Sequence, residues 1–200
     1  MSATKIDKIH EIQNHILDAA LSRFQHFGIG KTTMAEIADD VSMSTANLYR
    51  YFKNKETIAV ACTRRCLNAR TRRLLSIVDD SSLPADEKLV EFFNEILRYT
   101  HEQVSSNPRI NDLVNIIAEK YQEVVFSKNQ VERDLIKKIL QQGINEKQFP
   151  INDIDKSTLA VHTSMYMFQL PLAMTIHKLD VMLEMASVTT ALLIQGLRKK

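Results

Sequence analysis

The sequence predicts an all-α protein: an N-terminal three-helix helix-turn-helix unit followed by a larger helical domain. Three observations carry that expectation. The 200 residues are 44% hydrophobic but include only 4 glycines and 4 prolines, too few turn formers for a strand-rich fold. Apolar residues recur three and four apart along most of the chain, the spacing of one helix face. Between Thr32 and Lys55, two short amphipathic stretches with capping signals flank a break.

Taken in order, residues 9–27 read as the first helix, with Ile12, Ile16, Ala19, Ala20, Phe24 and Phe27 on its apolar side. Gly28 and Gly30 bracket the turn that ends it. This Gly-x-Gly follows a helix and lacks a third glycine, so it is not a phosphate loop. Thr33 can cap the next helix, with Glu36 completing a capping box, while Ile37 and Val41 share its inner face. Asp40 to Met43 form the break. Ser44 can cap a second short helix whose inner face holds Leu48 and Tyr51. Helices this short are stable only when packed, and small Ala38 lets them cross closely. A longer helix is expected over 56–78, broken by residues 81–84. Further helices are expected over 85–105, 109–126, 129–146, 155–177 and 180–197. Asn107-Pro108 and Phe149-Pro150 separate some of these, and Pro171 should kink the penultimate one. The expected division is a helix-turn-helix domain over 1–55 and a larger helical domain over 56–200.

The second short helix indicates what the first domain contacts. Its outer side carries Thr45, Asn47, Tyr49 and Arg50, with Lys53 and Lys55 just beyond. Short polar groups, an aromatic hydroxyl and cations are the types that reach base edges and phosphates. The pattern points to double-stranded DNA in a major groove. A bland alternative is a solvated helix face, and a second is the contact surface of a protein-binding helical adaptor. Charge distribution favours DNA. The net charge is only +2, but residues 56–78 hold five arginines (Arg64, Arg65, Arg70, Arg72, Arg73) against one glutamate. The last 122 residues hold fourteen basic and seventeen acidic side chains. Each of those arginines could instead lie on a solvated face or pair with an acid.

Residues Ala19-Ala20, Phe24, Phe27-Gly28, Thr32-Thr33, Ile37-Ala38, Leu48-Tyr49-Arg50-Tyr51-Phe52 and Lys55-Glu56 together resemble the TetR family of bacterial transcriptional regulators. The resemblance runs from about Ile16 to Ile58, and the Leu-Tyr-x-Tyr-Phe-x-x-Lys run is its most specific part. It implies that Thr33, Tyr51 and Lys55 meet phosphates. Thr45, Ala46, Tyr49 and Arg50 would lie nearest the bases, Asn47 on a base or phosphate, with Ser44 at the helix start. Arg50 suits a guanine, and Ala46 a thymine methyl. Lys5 and Lys8 of the N-terminal arm would reach a neighbouring groove or phosphates, the alternative being a frayed terminus. Ser42 and Ala46 stand where many members have glycine. A serine is costly at Ser42 if the turn needs positive φ.

The resemblance further implies a repressor that pairs as a homodimer on a palindromic operator, with 56–200 as its effector-binding and dimerisation domain. The chain supports pairing, the alternative being that both faces of its last two helices are satisfied within one chain. Met182, Leu183, Met185, Ala186, Val188, Ala191, Leu192, Leu193, Ile194 and Leu197 cover more than one stripe of the last helix. Ala160, Ser164 and Phe168 line one side of the preceding helix. The effector is expected to be small and largely hydrophobic. Its candidate lining is Tyr99, His101, Tyr121, Phe126, His162, Met165, Tyr166 and Gln169, with Phe93. Most of these would equally serve as core.

Cys62 and Cys66, four apart on one helix face near several arginines, raise the alternative of a redox-responsive regulator if a thiol pKa is lowered. Burial as structural cysteines is the stronger expectation. Two cysteines with no clear His or Asp partner make a poor metal site, and no metal or cofactor is expected. No nucleophile elbow, His-Glu-x-x-His motif or dinucleotide fingerprint marks the chain as an enzyme. No apolar run approaches the ~18 residues of a membrane span, and residues 1–13 hold no apolar signal core. A cytoplasmic protein with no membrane partner is the expectation.

Overall fold

The computed structural model describes residues 3–107 and 109–199, with side chains described from residue 7. Lys5 of the arm and the break at Pro108 therefore lie outside the described side chains. The described chain is helical: α1 (Ala3–Phe27), α2 (Met34–Asp40), α3 (Thr45–Leu48), α4 (Lys55–Val78), α5 (Ala85–Ser106), α6 (Ile110–Lys120), α7 (Gln122–Asn145), α8 (Ile154–Ser164), a 3₁₀ turn (Tyr166–Gln169), α9 (Pro171–Ile176) and α10 (Leu179–Leu197). No strand occurs among the described residues. They form two compact units, Met1–Cys66 with Asn107–Val124, and Leu67–Ser106 with Val125–Lys200.

The first unit packs α1, α2, α3 and the start of α4 around Ile16, Leu17, Ala20, Phe24, Ile37, Ala38, Leu48, Ile58 and Cys62, with Leu113 and Ile116 of α6 against it. Ile37 and Ala38 are fully buried, so the close crossing expected at Ala38 is present. Gly28 ends α1 in the left-handed region at φ +81, and its N–H reaches Phe24 O at 3.0 Å. Phe27, expected on the inner side of α1, is instead 55% exposed. It is the last helical residue, where the chain turns away and the apolar stripe no longer faces the core.

The second unit is built on α5, which buries Leu89, Phe92, Phe93, Ile96 and Leu97 against Leu135, Ile136, Ile139 and Leu140 of α7 and Met182, Ala186 and Ile194 of α10. Lys88, 3% exposed, donates its ammonium to Val78 O at 2.6 Å and so satisfies the end of α4. At Gly143 a Cβ would lie 2.1 Å from Cδ2 of Phe149, so the ring packs directly on the α7 backbone. Helix α10 is long and apolar enough to cross a membrane by length and composition, with a mean hydropathy of 1.2. Its Met182, Ala186, Thr190 and Ile194 stripe is buried in the unit, while most of the helix is not. On another face of α10, Val181, Met185, Val188 and Leu192 are exposed, as are Leu159, Met167, Leu170, Leu172 and Ile176 from α8 to α9.

Two expected helices are divided differently. The chain breaks at Tyr121 (φ −134, ψ 50) and runs through 126–129 as helix. No glycine or proline marks this break. Pro171 does not kink a helix but begins one, at the first turn of α9, where its missing N–H costs nothing. Leu170 before it is extended (φ −87, ψ 122), as the proline ring requires, and the 3₁₀ turn links it to α8.

Candidate nucleic-acid interface

The helix-turn-helix is held by caps that its own residues supply. Thr33 Oγ1 accepts from Glu36 N at 3.2 Å, while Thr33 N and Oγ1 both donate to Glu36 Oε2 at 2.8 Å. Those bonds hold the Glu36 carboxyl below its ordinary pKa. Arg23 of α1 grips Asp40 through Nε and through Nη2 (2.9 Å to Oδ1), and lies 3.4 Å from Glu36. The pairing with Asp40 lowers that carboxyl's pKa and ties α2 to α1.

The turn after α2 uses the left-handed conformation. Ser42 has φ 54, Met43 N donates to Ala38 O at 3.0 Å and Ser42 N to Asp39 O at 3.0 Å. This is a Schellman pair with serine at the position glycine usually fills. The next residues start α3: Ser44 Oγ accepts from Asn47 N at 3.2 Å. Regular helix lasts only to Leu48, and the chain continues through tight turns from Arg50 N to Asn47 O and from Tyr51 N to Leu48 O.

This geometry sorts the residues singled out by sequence. Leu48 is fully buried and anchors α3. Ser44, Ala46, Tyr49 and Arg50 are exposed, with Tyr49 53% exposed. Thr45, Asn47 and Tyr51 are half-buried, and Thr33 is exposed at the α2 start. Arg50 and Lys53 make no ion pair among the described residues, so both cations face outward available to a partner. Lys55 is more constrained: its ammonium donates to Gly30 O at 3.1 Å and Thr32 O at 2.9 Å, pinning the loop before α2 to the start of α4. Sequence reasoning missed that tie, and missed Asn54, which caps α4 by accepting from Thr57 N at 2.8 Å.

Among the arginines of 56–78, three are engaged. Arg65 pairs with Asp18 at 2.8 Å, Arg70 with buried Glu132, and Arg73 with Glu102 at 2.9 Å while lying 4.9 Å over the Tyr99 ring. The arginine-rich stretch is thus mostly a set of internal ties. Cys62 is 3% exposed and its Sγ lies 3.5 Å from Leu17 O. Burial pushes its thiol up to about 12 despite Arg65, the reverse of what a sensor thiolate requires.

The effector candidates divide. His162, Met165 and Gln169 are buried, with half-buried Tyr166 beside His162 at a ring separation of 6.2 Å. Tyr99 and Phe93 are core residues and His101 is half-buried. Phe126 is 65% exposed, and Tyr121 is half-buried and belongs to the first compact unit. Arg70, Lys128 and Glu132, which join the group around His162, were not foreseen.

A capped α2–turn–α3 with an outward polar and cationic face defines a DNA-binding regulator, and comparison with known proteins agrees. Residues 16–62 match the model of bacterial regulatory proteins of the tetR family, and residues 85–182 match a tetracyclin repressor-like C-terminal domain. The chain belongs to the TetR family of transcriptional regulators. It is 28% identical over 151 residues to the transcriptional repressor KstR2 of Mycolicibacterium smegmatis, covering 72% of this chain and 70% of that one. Its fold matches a transcriptional regulator from Cytophaga hutchinsonii with a TM-score of 0.72 at 21% identity, covering 92% and 97% of the two chains. It also matches the ketosteroid transcriptional regulator KstR2 of Mycobacterium tuberculosis with a TM-score of 0.57 at 21% identity, covering 94% and 95%.

Proposed function

We propose that this protein is a cytoplasmic repressor that binds a palindromic DNA operator as a homodimer and is released by a small, largely hydrophobic effector. The observation that carries the reading is the outward face of α3: Ala46, Tyr49 and Arg50 exposed beside buried Leu48. In this reading Arg50 reads a guanine, Ala46 a thymine methyl, and Thr45, Asn47 and Tyr49 their neighbours. Thr33, Ser44, Tyr51 and Lys55 position the backbone. Residues 1–55 form the reading head and 56–200 the effector and dimerisation domain. The likeness to the KstR2 repressors supports repression.

The exposed Val181, Met185, Val188 and Leu192 stripe of α10 supports the dimer. Its spacing of four, three and four is that of a helix-pairing seam, and a second copy would cover it. Pairing by a two-fold axis matches a palindromic operator. Effector binding would shift the population of α4 positions and spoil half-site spacing. The test is selection of bound duplexes from a random library with purified protein at fixed salt. Enrichment of a palindrome is expected. No enrichment by folded protein would mean either that DNA binding needs a co-ligand or that the helix-turn-helix serves another partner, as in a protein-binding adaptor.

A further inference from the structure

One cluster in the second unit carries more sheltered positive charge than its described residues neutralise: Arg70 is buried and the Lys128 side chain is 14% exposed. Glu132 of α7, with its side chain 2% exposed, pairs with Arg70 of α4, with Lys128 one turn earlier at 3.3 Å, and with Nε2 of His162 of α8 at 3.2 Å. It is the one carboxylate these three share among the described residues, so Arg70 and Lys128 leave a cation in excess. Lys128 also donates to Oε1 of Gln169 at 2.5 Å, and its ammonium lies 5.4 Å from the Tyr166 ring centre. Two donors of this cluster, Arg70 Nε and Gln169 Nε2, are buried with no acceptor among the described residues. Arg70 is 6% exposed and Gln169 4%. Sheltered sites rarely keep an excess positive charge and orphaned donors together unless something else completes them.

We propose that Arg70, Lys128 and Gln169 receive the carboxylate of a mostly apolar acid, which is the effector of the function proposed above and so rests on that reading. A monocarboxylate supplies one negative charge, matching the single excess cation, and its two oxygens can take the Arg70 Nε and Gln169 Nε2 hydrogens. The rest of the ligand is apolar because the cluster's neighbours in sequence, Leu135, Ile136, Met165 and Phe168, are buried hydrophobics. The site spans α4, α7, α8 and the 3₁₀ turn, so the acid competes with Glu132 for Arg70. It thereby alters the ion pair joining the later half of α4 to α7. Burial and the nearby Arg70 charge hold Lys128 down to about 8, and an added carboxylate would oppose both effects.

The test measures binding of medium- and long-chain fatty acids and aryl carboxylic acids to the full-length protein by calorimetry, each against its own primary amide, without DNA. Acids are expected to bind about tenfold or more tightly than the matched amides. Gln169→Glu, which offers Lys128 an internal carboxylate, should abolish that preference, and Gln169→Met should weaken it. Both changes preserve side-chain length, and circular dichroism checks that each variant is folded. If no acid is preferred over its amide, whether both bind or neither, the proposal is wrong. It is equally wrong if the preference survives both Gln169 variants unchanged. Operator release is read separately. Acids that bind through Gln169 without releasing DNA would uphold the site and overturn its role as the effector site.

Discussion

Replacing Lys55 with methionine separates two roles that the structure gives one side chain. The ammonium donates to Gly30 O and Thr32 O, leaving one of its three N–H groups for a phosphate. Methionine keeps much of the stem and removes the charge. Each charge-assisted bond is worth roughly 1.5–3 kcal/mol when sheltered. Lys55 is only half-buried, so solvent replaces part of that. A combined loss of about 2 kcal/mol follows, a fall of about 4–8 °C in Tm at this chain length. If the third N–H meets a phosphate, the slope of log K against log salt should also shrink by about 0.9 per half-site. The assays are thermal unfolding by circular dichroism and operator binding by anisotropy across a salt series. Lys53→Met is the control, since Lys53 is exposed and holds no described ion pair: it should leave Tm alone. A Lys55→Met protein with lower Tm and weaker binding but an unchanged slope would make Lys55 a brace for the loop and not a phosphate ligand. An unchanged Tm would refute the structural reasoning itself.

Arg50→Ala should relax selection at one base position of each half-site, by about 1–3 kcal/mol, while leaving the other positions as they were; repeat library selection reads this directly. Ser42→Gly should stabilise by roughly 0.5–1 kcal/mol in denaturant melts, because relief of the left-handed strain at φ 54 exceeds the added flexibility of the unfolded chain. Equal or lower stability would show that the serine sits there without strain. Gly143→Ala should destabilise by about 1–2 kcal/mol although alanine favours helix, because its Cβ would intrude on the buried Phe149 ring; pairing it with Phe149→Leu should recover part of the loss. For pH, Lys128 lies near 8 when folded and at its ordinary 10.5 when unfolded. Between those values the unfolded chain holds the extra proton, so this group's stabilising share is absent below about 8 and complete above 10.5. Stability should therefore climb through that window less steeply in Lys128→Met than in the native protein.

The helix-turn-helix was legible because its signals are local. Thr33 with Glu36, Ser44 with the α3 amides, and the apolar pairs Ile37–Val41 and Leu48–Tyr51 each act within one or two turns, so spacing alone reveals them. Helix ends were legible only where a specialised residue marks them. Gly28 marked the end of α1 at φ +81, but Ser42 and Lys147 close α2 and α7 in the same left-handed conformation with no glycine to announce it. Lys147 N reaches Ile144 O at 3.0 Å and Gln148 N reaches Gly143 O at 2.9 Å, the bond pattern seen at Ser42. At Tyr121 the break has no local marker at all. Tertiary packing decides it: α6 buries Ile117 while α7 continues as one helix to Asn145, burying Leu135, Ile136, Ile139 and Leu140.

The buried cluster in the second unit was hidden for a related reason. Lys128 and Glu132 stand four apart on α7, the spacing of an ordinary solvated surface pair, and Arg70 stands in an arginine-rich stretch that suggested DNA. Only the packing of α4 and α8 onto that face of α7 turns surface chemistry into interior chemistry. Once buried, each charge must be matched, and a match made wholly inside the fold would have placed a second carboxylate near Lys128. The chain instead offers Gln169, whose amide can satisfy the ammonium with its oxygen and still hold out a donor. That choice distinguishes the cluster from a self-contained ion network. It is why the acid-against-amide comparison, and the Gln169→Glu variant that supplies the missing charge, bear on function and not only on stability.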